Sequence, residues 1–88
     1  ALRPPLAAEV FLERGRITYV RADGLAGRTV AVSGPWRIET EWWSDLACRR
    51  DYYDVQLSSG GVYRLYRDLE AAGRDAARPE WQIDAVYD

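Results

Sequence analysis

The feature that most constrains this chain is a strict alternation of side chains through its middle. In the run WRIETEWW at 36–43, every second residue falls on the same face of an extended strand, because successive side chains of a strand point to opposite faces. One face then carries Trp36, Ile38, Thr40 and Trp42, and the other carries Arg37, Glu39, Glu41 and Trp43. The next run, RDYYDVQL, sets Tyr53, Val55 and Leu57 opposite Tyr52, Asp54 and Gln56. A period of two predicts β-strands in both runs.

The length of the following loop sets how that strand pairs with the next one. A three-residue loop, Ser58-Ser59-Gly60, places Val55 opposite Tyr63 and Tyr53 opposite Leu65. An even loop would instead mix charged and apolar side chains on one face. Gly60 suits the left-handed position at the end of such a loop. The same register pairs Tyr52 with Tyr66 and Asp54 with Arg64.

The flanking runs predict further strands. A two-residue turn at Arg14-Gly15 pairs Glu13 with Arg16, Leu12 with Ile17 and Val10 with Tyr19. The run ADGLAGR is predicted as a loop, and TVAVSG as a short strand that ends at Gly34-Pro35. The closing run EWQIDAVYD places Trp81, Ile83, Ala85 and Tyr87 on one side of a strand.

The predicted fold is mainly β: a small antiparallel barrel or roll of about seven strands joined by short turns. One short helix or helical loop is predicted near 69–78, where Asp68 can cap and Pro79 ends an alanine-rich run. The 88 residues are predicted to form a single small domain. Residues 1–5 are interpreted as a linker end, residues 6–33 as a hairpin and third strand, and residues 34–88 as a sheet rich in Trp and Tyr.

The composition removes most catalytic chemistry. The chain has no histidine, and its twelve positive charges are all arginine, so it has no histidine base and no lysine nucleophile. The single cysteine, Cys48, cannot build a thiolate zinc site and is interpreted as a structural or incidental thiol. Glu39 and Glu41 are interpreted as a solvated strand face rather than a cation site. We therefore expect no enzyme activity, no metal and no cofactor.

Net charge, cysteine content and hydropathy indicate which partners and which cellular compartment suit this chain. The formal net charge is −2, so no dominant electrostatic attraction to nucleic acid is expected. A lone cysteine permits no intrachain disulfide, which fits a reducing compartment. No apolar run approaches the roughly 20 residues that span a bilayer. A cytoplasmic protein without membrane contact is predicted. The chain begins at Ala1 and is interpreted as a fragment of a longer protein.

One face of the predicted sheet is the candidate functional site. The alternation places five residues opposite the predicted inner residues, which are Trp36, Ile38, Tyr53, Val55 and Leu65. The five candidates for partner binding are Arg37, Trp43, Tyr52, Arg64 and Tyr66. Arginine, tyrosine and tryptophan anchor interfaces because they bury much area and keep a polar end. Alternatively, this face forms a second small core beneath the first hairpin or the helix.

Several runs together resemble a known family. RPPLAAEV, RADGLAGRTVAVSGPWRIETEWW, RRDYYDVQL, GGVYRLYRD and the final AVYD resemble the C-terminal region of ImuB-type proteins, which are relatives of Y-family DNA polymerases. From about residue 34 onward the chain is also similar to a small uncharacterised bacterial domain.

The resemblance implies a functional context. It implies an adaptor without polymerase activity in inducible mutagenesis, which recruits an error-prone C-family polymerase and a RecA-like accessory protein during translesion synthesis. The leading prediction is thus a non-catalytic protein-interaction module. A single-stranded or primer-template DNA contact module is the alternative, because the same aromatics can stack on bases. A structural cap on a polymerase-like body is a further alternative.

Overall fold

The structure is a computed structural model that describes residues 6–39, 49–69 and 80–87. Trp43, Cys48, the linker end and almost all of the predicted helical segment lie outside the described residues. Six strands account for the regular secondary structure of the described ranges. They are β1 (Leu6–Glu13), β2 (Arg16–Ala22), β3 (Leu25–Glu39), β4 (Arg49–Leu57), β5 (Val62–Asp68) and β6 (Trp81–Tyr87).

The six strands close into a barrel in sequence order, and every neighbouring pair is antiparallel. This confirms the predicted antiparallel barrel. The strand number is six because the two runs predicted on either side of Gly34-Pro35 are one continuous strand, β3. The run ADGLAGR is not a long loop either: Ala22 pairs with Leu25, which leaves only Asp23-Gly24 as the turn.

The β4–β5 hairpin has the predicted register. Val55 pairs with Tyr63 and Tyr53 with Leu65. The loop is closed by the amide of Gly60, which donates to the carbonyl of Leu57 at 3.0 Å, and Gly60 has a φ of 105°. That backbone conformation favours glycine, which explains why this loop was predictable.

The first hairpin departs from its predicted register by one residue. Glu13 pairs with Arg16 as predicted, but Val10 pairs with Val20 rather than with Tyr19. Thr18 is the extra residue of a β-bulge, and its Oγ1 donates to the carbonyl of Phe11 at 3.1 Å. Without this bulge, Val20 would point away from the interior; with it, Val20 is fully buried.

The hydrophobic core occupies the interior of the barrel. Its buried members are Ile17, Val20, Val55, Leu57, Leu65, Trp81 and Ile83, with Tyr53 and Tyr63 packed against them. A second bulge, at Asp84, falls between the Leu65–Ile83 and Arg64–Ala85 pairs. It moves Ala85 and Tyr87 to the face opposite Trp81 and Ile83, so the prediction that these four residues share one side is wrong. Tyr87 is thereby placed on the outside of the barrel.

Candidate functional site

A third irregularity decides which residues form the outer surface of β3. Ser33 pairs with Asp54 and Trp36 with Tyr52, so Gly34 and Pro35 together stand opposite a single β4 residue. The peptide bond between Gly34 and Pro35 is cis, and Gly34 has a φ of 108°. A Cβ at Gly34 would lie 2.6 Å from the carbonyl oxygen of Tyr52, so only glycine fits there.

This bulge reverses the predicted facing of the strand that follows it. Trp36 and Ile38 lie on the outer face, opposite Tyr52 and Arg50, although both were predicted to be inside. Arg37 lies on the inner-facing side and pairs with Asp51, with Nε donating to Oδ1 at 2.9 Å. The prediction that Arg37 shares a face with Tyr52 is therefore wrong, because the strict alternation is broken two residues earlier.

A row of three aromatic rings crosses the outer face of β3, β4 and β5. The rings of Trp36 and Tyr52 are stacked, with centroids 6.3 Å apart and planes at 19°. The Tyr52 and Tyr66 centroids lie 5.4 Å apart. Trp36 and Tyr52 are half-buried, whereas Tyr66 is only 2% exposed. The row thus runs from partly exposed rings to a buried one.

Arg64 holds the exposed end of this row in place. Its guanidinium carbon lies 5.0 Å from the Trp36 ring centroid and 5.6 Å from that of Tyr87. Two parallel hydrogen bonds, 3.0 and 3.1 Å long, fix it to the carboxylate of Asp54. These hydrogen bonds are the main reason that the pKa of Arg64 is raised above its ordinary value. A fork-to-fork pair of this kind sets direction as well as distance.

Arg50 covers the buried end. Its guanidinium carbon lies 4.3 Å from the Tyr66 ring centroid, and Nη1 donates to the Tyr52 hydroxyl at 3.4 Å. Burial raises the pKa of Tyr66 above the ordinary tyrosine value. Because its ring is covered, Tyr66 supports Arg50 and Tyr52 rather than presenting its own surface. Its burial agrees with the alternative of a second small core at this end of the row.

The structure therefore brings together three of the five predicted residues, Tyr52, Arg64 and Tyr66. Arg37 lies on the other face, and Trp43 is outside the described residues. Sequence reasoning missed three residues that complete the site, Trp36, Arg50 and Tyr87. Of these, only Trp36 has a signal in the sequence, which is the Gly34-Pro35 pair directly before it. We call the whole set the outer patch: Trp36, Arg50, Tyr52, Arg64, Tyr66 and Tyr87. Ile38, which is 45% exposed, lies at its edge.

The described ranges offer little other chemistry. Across them, no three histidine, cysteine, aspartate or glutamate side chains are grouped so that they could hold a metal ion. Within the same ranges, no helix combines the length and apolar character needed to cross a membrane.

The fold and the outer patch define a small closed antiparallel β-barrel that presents arginines and aromatic rings on its outside. The chain is similar to protein ImuB of Caulobacter vibrioides, in strains NA1000/CB15N and ATCC 19089/CIP 103742/CB 15. Identity is 30% over 92 aligned residues, which cover 96% of this chain and 18% of ImuB. The similarity confirms the resemblance to ImuB-type proteins. The chain spans less than a fifth of the length of these relatives.

No protein-family model matches the chain. No solved structure matches it either.

Proposed function

We propose that this chain is a non-catalytic protein-interaction module of an ImuB-like adaptor in error-prone translesion DNA synthesis. Similarity to ImuB over 96% of the chain supports an ImuB-related role. The observation that carries the interaction role is the outer patch, where Arg64 lies against Trp36 and Tyr87. The lack of histidine and lysine supports a role without catalysis.

The geometry of the patch suits a protein partner. Trp36 and Tyr52 are already half-buried, and Arg64 is already oriented by Asp54, so binding would immobilise few further side chains. Ile38 and Tyr87, at 45% and 40% exposed, add apolar area around them. Aromatic and arginine side chains surrounded by apolar area are typical of interface anchors.

Stacking on DNA bases is less well supported, since it needs an open ring face. Arg64 lies over the Trp36 ring, and Arg50 lies over the Tyr66 ring. The net charge of −2 also disfavours a phosphate-binding surface.

The partners belong to the same proposal. From the resemblance to ImuB-type proteins, we expect an error-prone C-family polymerase or a RecA-like accessory protein to dock on the outer patch. Both would meet this chain in the cytoplasm.

The test measures the affinity of the chain for each purified partner by isothermal titration calorimetry. Trp36→Ala and Tyr87→Ala should each weaken binding by about tenfold or more, which corresponds to ~1.4 kcal/mol. Phe11→Ala is the matched control, because Phe11 is 45% exposed on β1, outside the outer patch.

Three results would contradict the proposal: no binding, equal affinity of all three variants, or a loss with the control alone. A parallel titration with a single-stranded oligonucleotide separates the DNA alternative. The DNA alternative requires an affinity for the oligonucleotide that falls steeply between about 50 and 200 mM salt.

A further inference from the structure

Strands β2 and β3 separate from each other at one end of the barrel. They pair from Ala22–Leu25 as far as Tyr19–Arg28, and β3 then continues along β4 to Glu39. The separation begins at Thr29, whose Oγ1 donates to the carbonyl of Ile17 at 2.7 Å. Beyond this point, no described strand pairs with the edge of β3 that faces β2. We call this separation the β2–β3 fork.

The fork contains an open cleft of about 500 Å³. Its lining includes Ile17, Val32, Pro35 and Tyr53, with Arg16 on the β2 side. Val32 pairs with the fully buried Val55 and points to the same side, yet it is 42% exposed. The cleft is therefore a place where the apolar interior of the barrel reaches solvent, and its volume falls within the ~300–1,000 Å³ typical of binding clefts.

The exposed edge of β3 is unusual in its composition. From Val30 to Ser33 it contains no charge and no proline, and Val30, the extra residue of a bulge between the Thr29–Leu57 and Ala31–Gln56 pairs, is 59% exposed. Proteins generally protect a free apolar strand edge with charges, proline, bulges or a covering segment, because such an edge invites pairing with another chain. Apart from the bulge at Val30, the described residues give this edge none of these protections. Beside an apolar cleft, such an edge has the properties of a docking site for a strand.

The charges around the fork indicate the chemistry of the guest. Arg14, Arg16 and Arg28 lie on the turn and on the two strands that form the fork, and all three are exposed. Glu13 is an acidic residue beside Arg14 and Arg16. Positive charge is thus in excess there, although the chain as a whole carries −2.

We propose that the β2–β3 fork is a strand-insertion site, which takes an extended segment of a partner protein with alternating apolar and acidic side chains. The backbone of the segment pairs with β3 from Ala31 onward, past the bulge at Val30, as in other cases of strand addition. Its apolar side chains enter the cleft against Ile17 and Val32. Its carboxylates point outward, toward the arginines at the turn.

This site is separate from the outer patch. The cleft is lined by residues of the inner face, such as Tyr53, whereas the outer patch lies on the opposite face of the same strands. The inference therefore does not depend on the proposed function, and each surface can be tested alone.

The test uses fluorescence anisotropy of labelled synthetic peptides, each roughly ten residues long, with the 88-residue chain. In the first peptide, valine alternates with threonine and glutamate. In the second, lysine replaces glutamate, and in the third a central proline interrupts the strand. The first peptide should bind at least about tenfold more tightly than the other two.

Variants locate the binding. Val32→Glu and Arg16→Glu should each weaken binding of the acidic peptide by about tenfold or more, since they place a carboxylate in the cleft or at its margin. Val86→Glu is the matched control, because Val86 is 45% exposed on β6. Tyr87→Ala, in the outer patch, should also leave peptide affinity unchanged. Circular dichroism verifies that each variant is folded.

Several outcomes would overturn the inference. These are no binding of the acidic peptide, equal affinity for the lysine peptide, and an affinity that Val32→Glu does not change. Analytical ultracentrifugation measures the oligomeric state and can give one further contradicting result. If the chain dimerises and Val32→Glu restores the monomer, a second copy occupies the fork and the proposed acidic partner is wrong.

Discussion

At the scale of single residues, arginine defines the polar chemistry of this chain. All twelve basic residues are arginine, and Arg50 and Arg64 each contact an aromatic ring while also donating hydrogen bonds. Lysine could not make the paired contact between Arg64 and Asp54, because its ammonium is a single point charge. Such partly exposed ion pairs contribute only ~0–1 kcal/mol to stability. Their main effect is therefore to orient the rings of the outer patch.

Tyr66 gives a residue-scale prediction about alkaline pH. Burial raises its pKa in the folded state, so the folded protein keeps the phenolic proton at a pH where the unfolded chain loses it. The free energy of unfolding should be unaffected by this group at neutral pH and should fall as the pH rises above ~10. Urea denaturation from pH 7 upward measures the effect.

The matched variant for this prediction is Tyr66→Phe, which has no proton to lose. Its stability should fall less steeply in the alkaline range than that of the wild type. Tyr53→Phe should remove a further part of the slope, because burial raises the pKa of Tyr53 as well. Equal slopes in all three proteins would show that the folded state does not retain the Tyr66 proton.

At the scale of elements, alternation predicted the strands, but bulges decided which way their side chains point. Sequence reasoning succeeded for the β4–β5 hairpin, because Gly60 marks its loop and charge pairing excludes other registers. It failed after Thr18, Pro35 and Asp84, where one extra residue reverses the faces. Thr18 and Asp84 resemble ordinary strand residues, so nothing local distinguishes them. The predicted facing of the candidate residues was thus confirmed on β4 and β5 and wrong on β3.

Gly34 gives the element-scale prediction. Gly34→Ala should destabilise the protein strongly, because alanine is strained at a φ of 108° and its Cβ would lie 2.6 Å from the Tyr52 carbonyl oxygen. Gly24→Ala is the control: its φ is 83°, but a Cβ there meets nothing within 4 Å. Gly24→Ala should cost about 1–2 kcal/mol. Gly34→Ala should cost a further ~1–3 kcal/mol for the forced contact.

Urea denaturation of both variants, followed by circular dichroism, gives the comparison. If the two alanine variants lose the same stability, the close approach at Gly34 does not hold in solution. The bulge would then have another cause.

At the scale of the whole molecule, the barrel is closed by unequal seams. β3 and β4 share eight registered pairs, and β4 and β5 share seven. β1 and β6 share only three, from Leu6–Ile83 to Ala8–Trp81. The β2–β3 seam is also short, with four pairs before the fork. Stability is therefore expected to be greatest around β4 and to fall toward the β1–β6 closure.

Amide hydrogen exchange measured by NMR tests this order. Paired amides of β4 and β5, near Val55 and Leu65, should exchange only through global unfolding. Those of the β1–β6 seam, near Ala7 and Gln82, should exchange at least about tenfold faster, through local opening. Uniform protection around the barrel would mean that the short seam is as stable as the long ones.

Gly34 and Pro35 lie between the two surfaces of this protein. On one side they line the cleft of the β2–β3 fork, and on the other they set the position of Trp36 at the edge of the outer patch. A segment seated in the cleft would press on the same two residues that place the indole. If a ligand in the cleft changes the affinity of the outer patch for its partner by some factor, that partner must change the affinity of the cleft for its ligand by the same factor.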